Sequence, residues 1–255
     1  MEAAPHLSLI ATATTGTDHI DLARAKKRGI TVLSLKDETS FLRSVTSTAE
    51  LALGLLIDLA RRTHAAAASV KRGAWNREDF VGHSLSGKTL GIVGLGRLGS
   101  LMAAYGKALG MTVLYTDPNV TSSEAERVEF ADLLRRSDVI SIHAHLSEET
   151  KHLFDARAFA QMKPAALLIN TARGSIVNEA DLLAALKSGT LGGFAADVLA
   201  DELSFDGRAV APLITYAQSH DNVIITPHIG GMTAESREAT DVFIAGKVRD
   251  TLQKQ

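Results

Sequence analysis

Four residues able to do chemistry stand at or just past the ends of short apolar runs. Arg173 follows Leu167-Leu168-Ile169-Asn170, Asp197 closes Gly193-Phe194-Ala195-Ala196, Glu202 comes five residues later, and His228 follows Val223–Thr226. A guanidinium stays charged and grips a carboxylate with a two-pronged fork. An imidazole titrates near neutral pH, and a neighbouring carboxylate raises its pKa and fixes its tautomer. Brought to one rim, these groups anchor an acid and move a proton beside it. Singly, each has a plainer reading: a loop arginine, a solvated acid, a capping histidine.

A second pattern says what would share that rim. Gly94-Leu95-Gly96-Arg97-Leu98-Gly99 follows an apolar strand, Leu90–Val93, and opens a helical pattern. In that setting Gly94 permits the tight turn, Gly96 lets the backbone approach a pyrophosphate, and Gly99 packs helix on strand. The helix N-terminus adds N–H groups and partial positive charge. Asp117 ends the next strand, about twenty residues beyond the first glycines, where a carboxylate accepts ribose hydroxyls and repels a 2′-phosphate. The expected cofactor is NAD rather than NADP. With Arg173, Asp197, Glu202 and His228 beyond the carboxyl ends of later strands, the set suits hydride transfer between NAD and a 2-hydroxy or 2-keto acid.

The elements behind these residues follow from periodicity. Strands are expected at Leu90–Val93, Thr112–Thr116, Val139–His143, Ala166–Asn170, Gly193–Ala196 and Val223–Thr226, alternating with helices. One helix runs over Glu179–Lys187, with Asn178 as N-cap and Gly189 just past its end. Such alternation means a parallel sheet wound on both faces. Before residue 88, Leu7–Ala11 and Ile30–Leu33 read as strands around a short helix, Ile20–Arg28. A long helix then starts near Ser47, with Glu50 at capping-box spacing. Its leucines leave almost no polar face, so it is expected to be buried against another domain or subunit. A last helix starts at about Thr233. The layout is a dinucleotide domain over 45–230, flanked by two pieces of a smaller domain, 1–44 and 231–255.

Composition narrows the classes. The chain has 255 residues, 45% of them apolar, 27 Lys+Arg against 29 Asp+Glu, and no cysteine. The charge balance argues against a nucleic-acid surface. The lack of cysteine excludes disulfides and thiolate metal sites, and no metal is expected. The most apolar run, Leu51–Ala60, is too short to span a bilayer and holds Asp58. A soluble cytoplasmic protein without a membrane partner is the expectation.

The stretches GKTLGIVGLGRLG, LLINTARGSIVNEADLLAAL, AADVLADE and TPHIGG together resemble the D-isomer-specific 2-hydroxyacid dehydrogenases, the family of phosphoglycerate, glycerate, D-lactate and erythronate-4-phosphate dehydrogenases. The resemblance implies a Rossmann-type domain with a flavodoxin-like substrate domain. It implies that Arg173 anchors the substrate carboxylate, that His228 exchanges the hydroxyl proton, and that Glu202 partners it. Asp197 would hold the nicotinamide carboxamide, the backbone at Thr171 and Ala172 would line its ribose, and Arg97 and Leu98 would meet the pyrophosphate. TATTGTDHID matches the family's substrate loop, so Ala13, Thr14, Thr15 and Gly16 would offer N–H groups to the carboxylate. The hydroxyls of Thr12, Thr14, Thr15 and Thr17 point to a polar or phosphorylated acid. The helix from Ser47 would form a homodimer. Two local departures are His145 and Leu203, each where the family usually has proline. About two strands stand where the family's substrate domain has about five, so that domain is expected to be incomplete and the turnover weak or absent. The alternative is an NAD-binding scaffold or sensor, corepressor-like, or an inactive fragment.

Overall fold

The structure, a computed structural model, describes residues 4–205 and 211–253. The chain divides into two compact units, Met1–Ser47 with Gly231–Gln255, and Thr48–Gly230. In the first, β1 (Leu9–Ala11) and β2 (Thr31–Leu33) pair in parallel, with Leu9 opposite Thr31. Between them lies α1 (Leu22–Lys27), whose N-terminus is capped by the Asp21 carboxylate accepting from Arg24 N. A one-turn helix, α2 (Thr39–Leu42), follows. This sheet holds two strands.

The second unit opens with α3 (Ser47–Arg61) and α4 (Thr63–Lys71). It continues as β3 (Thr89–Val93), α5 (Arg97–Ala108), β4 (Thr112–Thr116), β5 (Glu126–Arg127), α6 (Phe130–Arg136), β6 (Val139–Ile142) and α7 (Ala156–Gln161). Then come β7 (Ala166–Asn170), α8 (Glu179–Ser188), β8 (Leu191–Ala196), α9 (Pro212–Ala217) and β9 (Val223–Ile225). The strands form one parallel sheet in the order β5-β4-β3-β6-β7-β8-β9. The order reverses between β3 and β6, and a crevice for a dinucleotide opens at such a switch point, beyond the carboxyl ends of the strands.

Strand alternation explains why both faces are covered. Ile140, Leu168, Phe194 and Ala196 pack with α6, α7 and α8 in one core. Val139, Ile169 and Ala195 pack with α3 and α5 in the other. Neighbours along a strand thus serve opposite faces, and the runs read as continuously apolar. Complete burial of each large side chain contributes about 1.5–3 kcal/mol. Caps agree with the sequence: Asn178 accepts from Ala180 N and Asp181 N, and Gly189 closes α8 with φ 75°. β5 has no apolar signal; Glu126 is held by Arg136 through two hydrogen bonds at 2.7 and 2.8 Å.

Helix α3 shows which of its faces the sheet covers, and it corrects one expectation. Ala52, Leu55, Leu56 and Leu59 are buried against the sheet, but Glu50, Gly54, Ile57 and Arg61 form an exposed stripe, because residues spaced by three and four share one face. The apolar tract is also longer than the run Leu51–Ala60. By length and composition Thr39–Arg61 passes as a membrane-crossing helix; here it contains two helices, and the α3 leucines named above are spent on the core.

The last helix, α10 (Ala234–Leu252), is capped by Thr233 accepting from Ser236 N and belongs to the first unit. There Leu35, Leu42 and Ile244 are buried together, Phe41 stacks on Phe243 at 4.1 Å, and Lys247 pairs with Glu38.

Candidate functional site

The glycine turn is built as its sequence requires. Gly94 has φ 90°, and a Cβ there would lie 2.7 Å from Ala144 N; one on Gly99 would lie 2.0 Å from Gly94 O. Helix α5 starts after Gly96, which offers no side-chain cap and has open space above it. The first turn therefore faces outward with Arg97 and Leu98 at its start. Beside it, the Asp117 carboxylate accepts from Leu95 N, Asn119 N and Val120 N, each at 2.8 Å. Burial pushes its carboxyl up, yet these three donors and the charge of Arg127 outweigh burial and hold it below the usual value. Asp117 thus ties the strand end to the glycine turn as a fixed anion. After β6, burial pushes the His143 imidazole down to about 4, so a neutral ring stands there at neutral pH, 2.8 Å from Ser141 Oγ.

At the end of β7, Asn170 shapes the turn that presents Arg173. Its Nδ2 donates to Arg173 O and its Oδ1 accepts from Ala172 N, both at 3.0 Å. Arg173 itself donates from Nη1 to Ala172 O at 2.8 Å. Between them, the Thr171 hydroxyl is buried with no hydrogen-bond partner among the described residues. A buried hydroxyl without a partner is costly, so the position fits a group that arrives from outside the chain.

Asp197, Glu202 and His228 meet beyond β8 and β9. His228 Nδ1 and Glu202 Oε1 are 2.6 Å apart, and Glu202 Oε2 accepts from Leu199 N at 3.1 Å. The hydrogen bond with Glu202 raises the His228 pKa against burial, helped by the charges of Glu202 and Asp197 and opposed by Arg173. Burial pushes Glu202 up, but His228, Leu199 N and the Arg173 charge prevail and lower it. With Nδ1 committed, Nε2 is the nitrogen left to work on a ligand.

The buried Asp197 carboxylate is enclosed by the turn that carries His228. It accepts from Thr226 Oγ1 and Ile229 N on Oδ1 and from Gly230 N on Oδ2. His228 sits there with φ 55°, a conformation uncommon outside glycine, so the carboxylate holds a strained segment in place.

The sites expected from sequence fall into two groups. Gly94, Gly96, Arg97, Leu98, Gly99 and Asp117 lie at the ends of β3 and β4; Thr171, Ala172, Arg173, Asp197, Glu202 and His228 follow β7, β8 and β9. All belong to the larger unit. Ala13, Thr14, Thr15 and Gly16 follow β1 in the smaller unit, where Thr14 Oγ1 donates to Gly16 O at 2.6 Å and Thr14 O accepts from Leu35 N. Asn170 and Thr226 escaped the sequence reading. An asparagine closing a strand is a turn signal that could have found the first; the second is an ordinary threonine until the fold brings it to Asp197.

A parallel doubly wound sheet with a glycine turn at its switch point defines a dinucleotide-binding type of domain. Residues 53–230 match the family model for the D-isomer specific 2-hydroxyacid dehydrogenase, NAD binding domain, and the chain belongs to that family, with NAD as its cofactor. It is 38% identical over 259 residues to D-3-phosphoglycerate dehydrogenase of Methanocaldococcus jannaschii, covering 99% of this chain and 47% of that protein. It is 37% identical to glycerate dehydrogenase of Methylorubrum extorquens, covering 98% and 80%. Among solved structures, D-lactate dehydrogenase from Aquifex aeolicus, complexed with NAD and lactic acid, superposes with a TM-score of 0.84 at 33% identity over 98% of this chain and 77% of that one. The chain thus spans about half the first relative's length.

Proposed function

We propose that this chain transfers hydride between NAD(H) and a D-2-hydroxy or 2-keto acid, with a phosphorylated acid as one candidate substrate. The carrying observation is the 2.6 Å Glu202–His228 pair with Arg173 near enough to bias both titrations. Residues 45–230 are assigned to the cofactor, and 1–44 with 231–255 to the substrate side.

Helix α5 at Arg97 and Leu98 would receive the pyrophosphate, Asp117 the adenosine ribose, and Thr171 and Ala172 the nicotinamide ribose. Asp197 would hold the nicotinamide carboxamide. When bound, NAD supplies or accepts the hydride. Arg173 grips the substrate carboxylate and polarises the adjacent carbonyl. His228 gives a proton from Nε2 to the carbonyl oxygen in reduction and takes one from the hydroxyl in oxidation. Glu202 stabilises the imidazolium between those events. Within the smaller unit, the backbone N–H groups from Ala13 to Gly16 are the substrate-binding candidates.

A homodimer through α3 belongs to the same proposal, supported by its exposed Ile57 and by Trp75, which is 90% exposed beyond α4. A cytoplasmic setting completes it. That the relatives found include dehydrogenases and reductases supports the enzyme over the scaffold. The test is NADH oxidation with a panel of 2-keto acids, run beside His228→Gln. Turnover that falls by about 10²- to 10⁴-fold in the variant, with NADH binding retained, is expected. NADH binding without turnover of any acid would favour the scaffold.

A further inference from the structure

The loop that delivers Glu202 to His228 is fastened from behind by a residue outside the set above. Glu179, in the first turn of α8, accepts a hydrogen bond from Ala200 N through Oε1 at 2.7 Å. The preceding N–H, that of Leu199, donates to Glu202 Oε2. The same peptide rests on Gly174, where an added Cβ would lie 1.9 Å from Leu199 C and 2.2 Å from Ala200 N. Two consecutive N–H groups are thus divided between two carboxylates, one structural in its location and one at the proton-transferring pair. The loop then turns through Asp201 at φ 57°.

This arrangement has a cost that a simple helix cap would avoid. Burial raises the Glu179 pKa, and the charges of Asp201 and Glu202 raise it further, against the Ala200 hydrogen bond. Asp181 faces elsewhere, accepting from Ala156 N, and Arg173 is the cation that acts on the pair itself. A carboxylate facing two others is unfavourable unless its reach is needed. The α8 N-terminus offsets part of that repulsion.

We propose that Glu179 is a positioning residue for the Glu202–His228 pair: by holding Ala200 it fixes the 199–202 loop so that Glu202 meets His228 Nδ1. The inference rests on that pair being the working one. Its contribution is geometric, so a side chain that keeps the length and loses the charge should preserve it, and one that keeps the charge and loses the length should not.

The test is the titration of the His228 imidazole by NMR on the full chain, its signal assigned among nine histidines by its absence in His228→Gln. Glu202→Gln sets the scale by lowering the midpoint. Glu179→Asp, one methylene too short, is expected to lower the midpoint in the same direction, and Glu179→Gln to leave it nearer that of the unaltered protein. Glu179→Ala makes the same comparison if the aspartate variant does not fold, with folding checked by circular dichroism. The falling limb of the pH–rate profile for keto-acid reduction should move in the same order. A His228 midpoint unmoved by both shortened variants, or moved by Glu179→Gln and not by Glu179→Asp, overturns the proposal. The titration needs no turnover, so a failure of the proposed reaction is seen separately.

Discussion

Replacing Asp197 by asparagine tests whether its carboxylate is the clasp of the His228 turn. Asp197 is 2% exposed and all three of its partners are donors. Asparagine can keep its oxygen toward Thr226 and Ile229, but its amide then faces Gly230 N, donor against donor, where the carboxylate accepted at 2.7 Å. Loss of one charge-assisted bond costs about 1.5–3 kcal/mol, and a buried donor left unpaired adds roughly 1 kcal/mol or more. The sum is about 3 kcal/mol. For a chain near this size each kcal/mol lowers Tm by about 2–4 °C, so Asp197→Asn should melt about 6–12 °C lower by circular dichroism. Thr226→Ala, which removes one charge-assisted bond and leaves the carboxylate, should cost about 1.5–3 kcal/mol. An Asp197→Asn Tm within about 2 °C of the unaltered protein would refute the clasp.

Three further outcomes are expected. Reduction needs protonated His228, present below its raised pKa and lost above it, so Glu202→Gln should move the falling limb of the reductive pH profile to lower pH; an unmoved limb removes Glu202 from the mechanism. The same shifts make the pair stabilising above the folded pKa of Glu202, held below its ordinary 4.5, and progressively less so as pH rises through that of His228, held above 6.5, which urea unfolding across that window would register. Arg173→Lys should raise KM and lower kcat together, with kcat/KM falling about 10- to 100-fold for one lost charge-assisted bond; a change in KM alone would confine Arg173 to binding. Asp117→Ala should narrow the preference for NADH over NADPH, measured by fluorescence titration, and equal affinities in the unaltered protein would sink the ribose assignment.

What the sequence made legible was local. The glycine turn, Asp117, the Asn178 and Gly189 caps and the apolar runs each carry their signal within a few residues. Arg173, Asp197, Glu202 and His228 were legible as strand-end residues, because a parallel sheet brings all such ends to one rim. What holds them was not. Thr226 and Asp197 are separated by 29 residues and Glu179 and Ala200 by 21, and neither threonine nor glutamate announces a distant partner. The exposed stripe on α3 was hidden for another reason: with leucines and an isoleucine spread around the helix, only the sheet decides which of them are covered.

The smaller unit is discontinuous in the chain, and this shapes how it can be made. Its core joins Leu35 and Leu42 to Ile244, and Glu38 waits for Lys247 across 209 residues. On a ribosome adding about 5–20 residues per second, the first piece emerges roughly 10 to 40 s before its partner exists. During that interval the β1–β2 pair lacks the α10 side chains that complete its core, and a two-stranded pair alone is a marginal structure in water. The intervening unit, continuous in the chain and with its own two cores, has no such wait. Synthesis therefore completes the core of the smaller unit only after the larger unit has been made, and a chaperone that shields nascent strands would act on residues 9–42 during that interval.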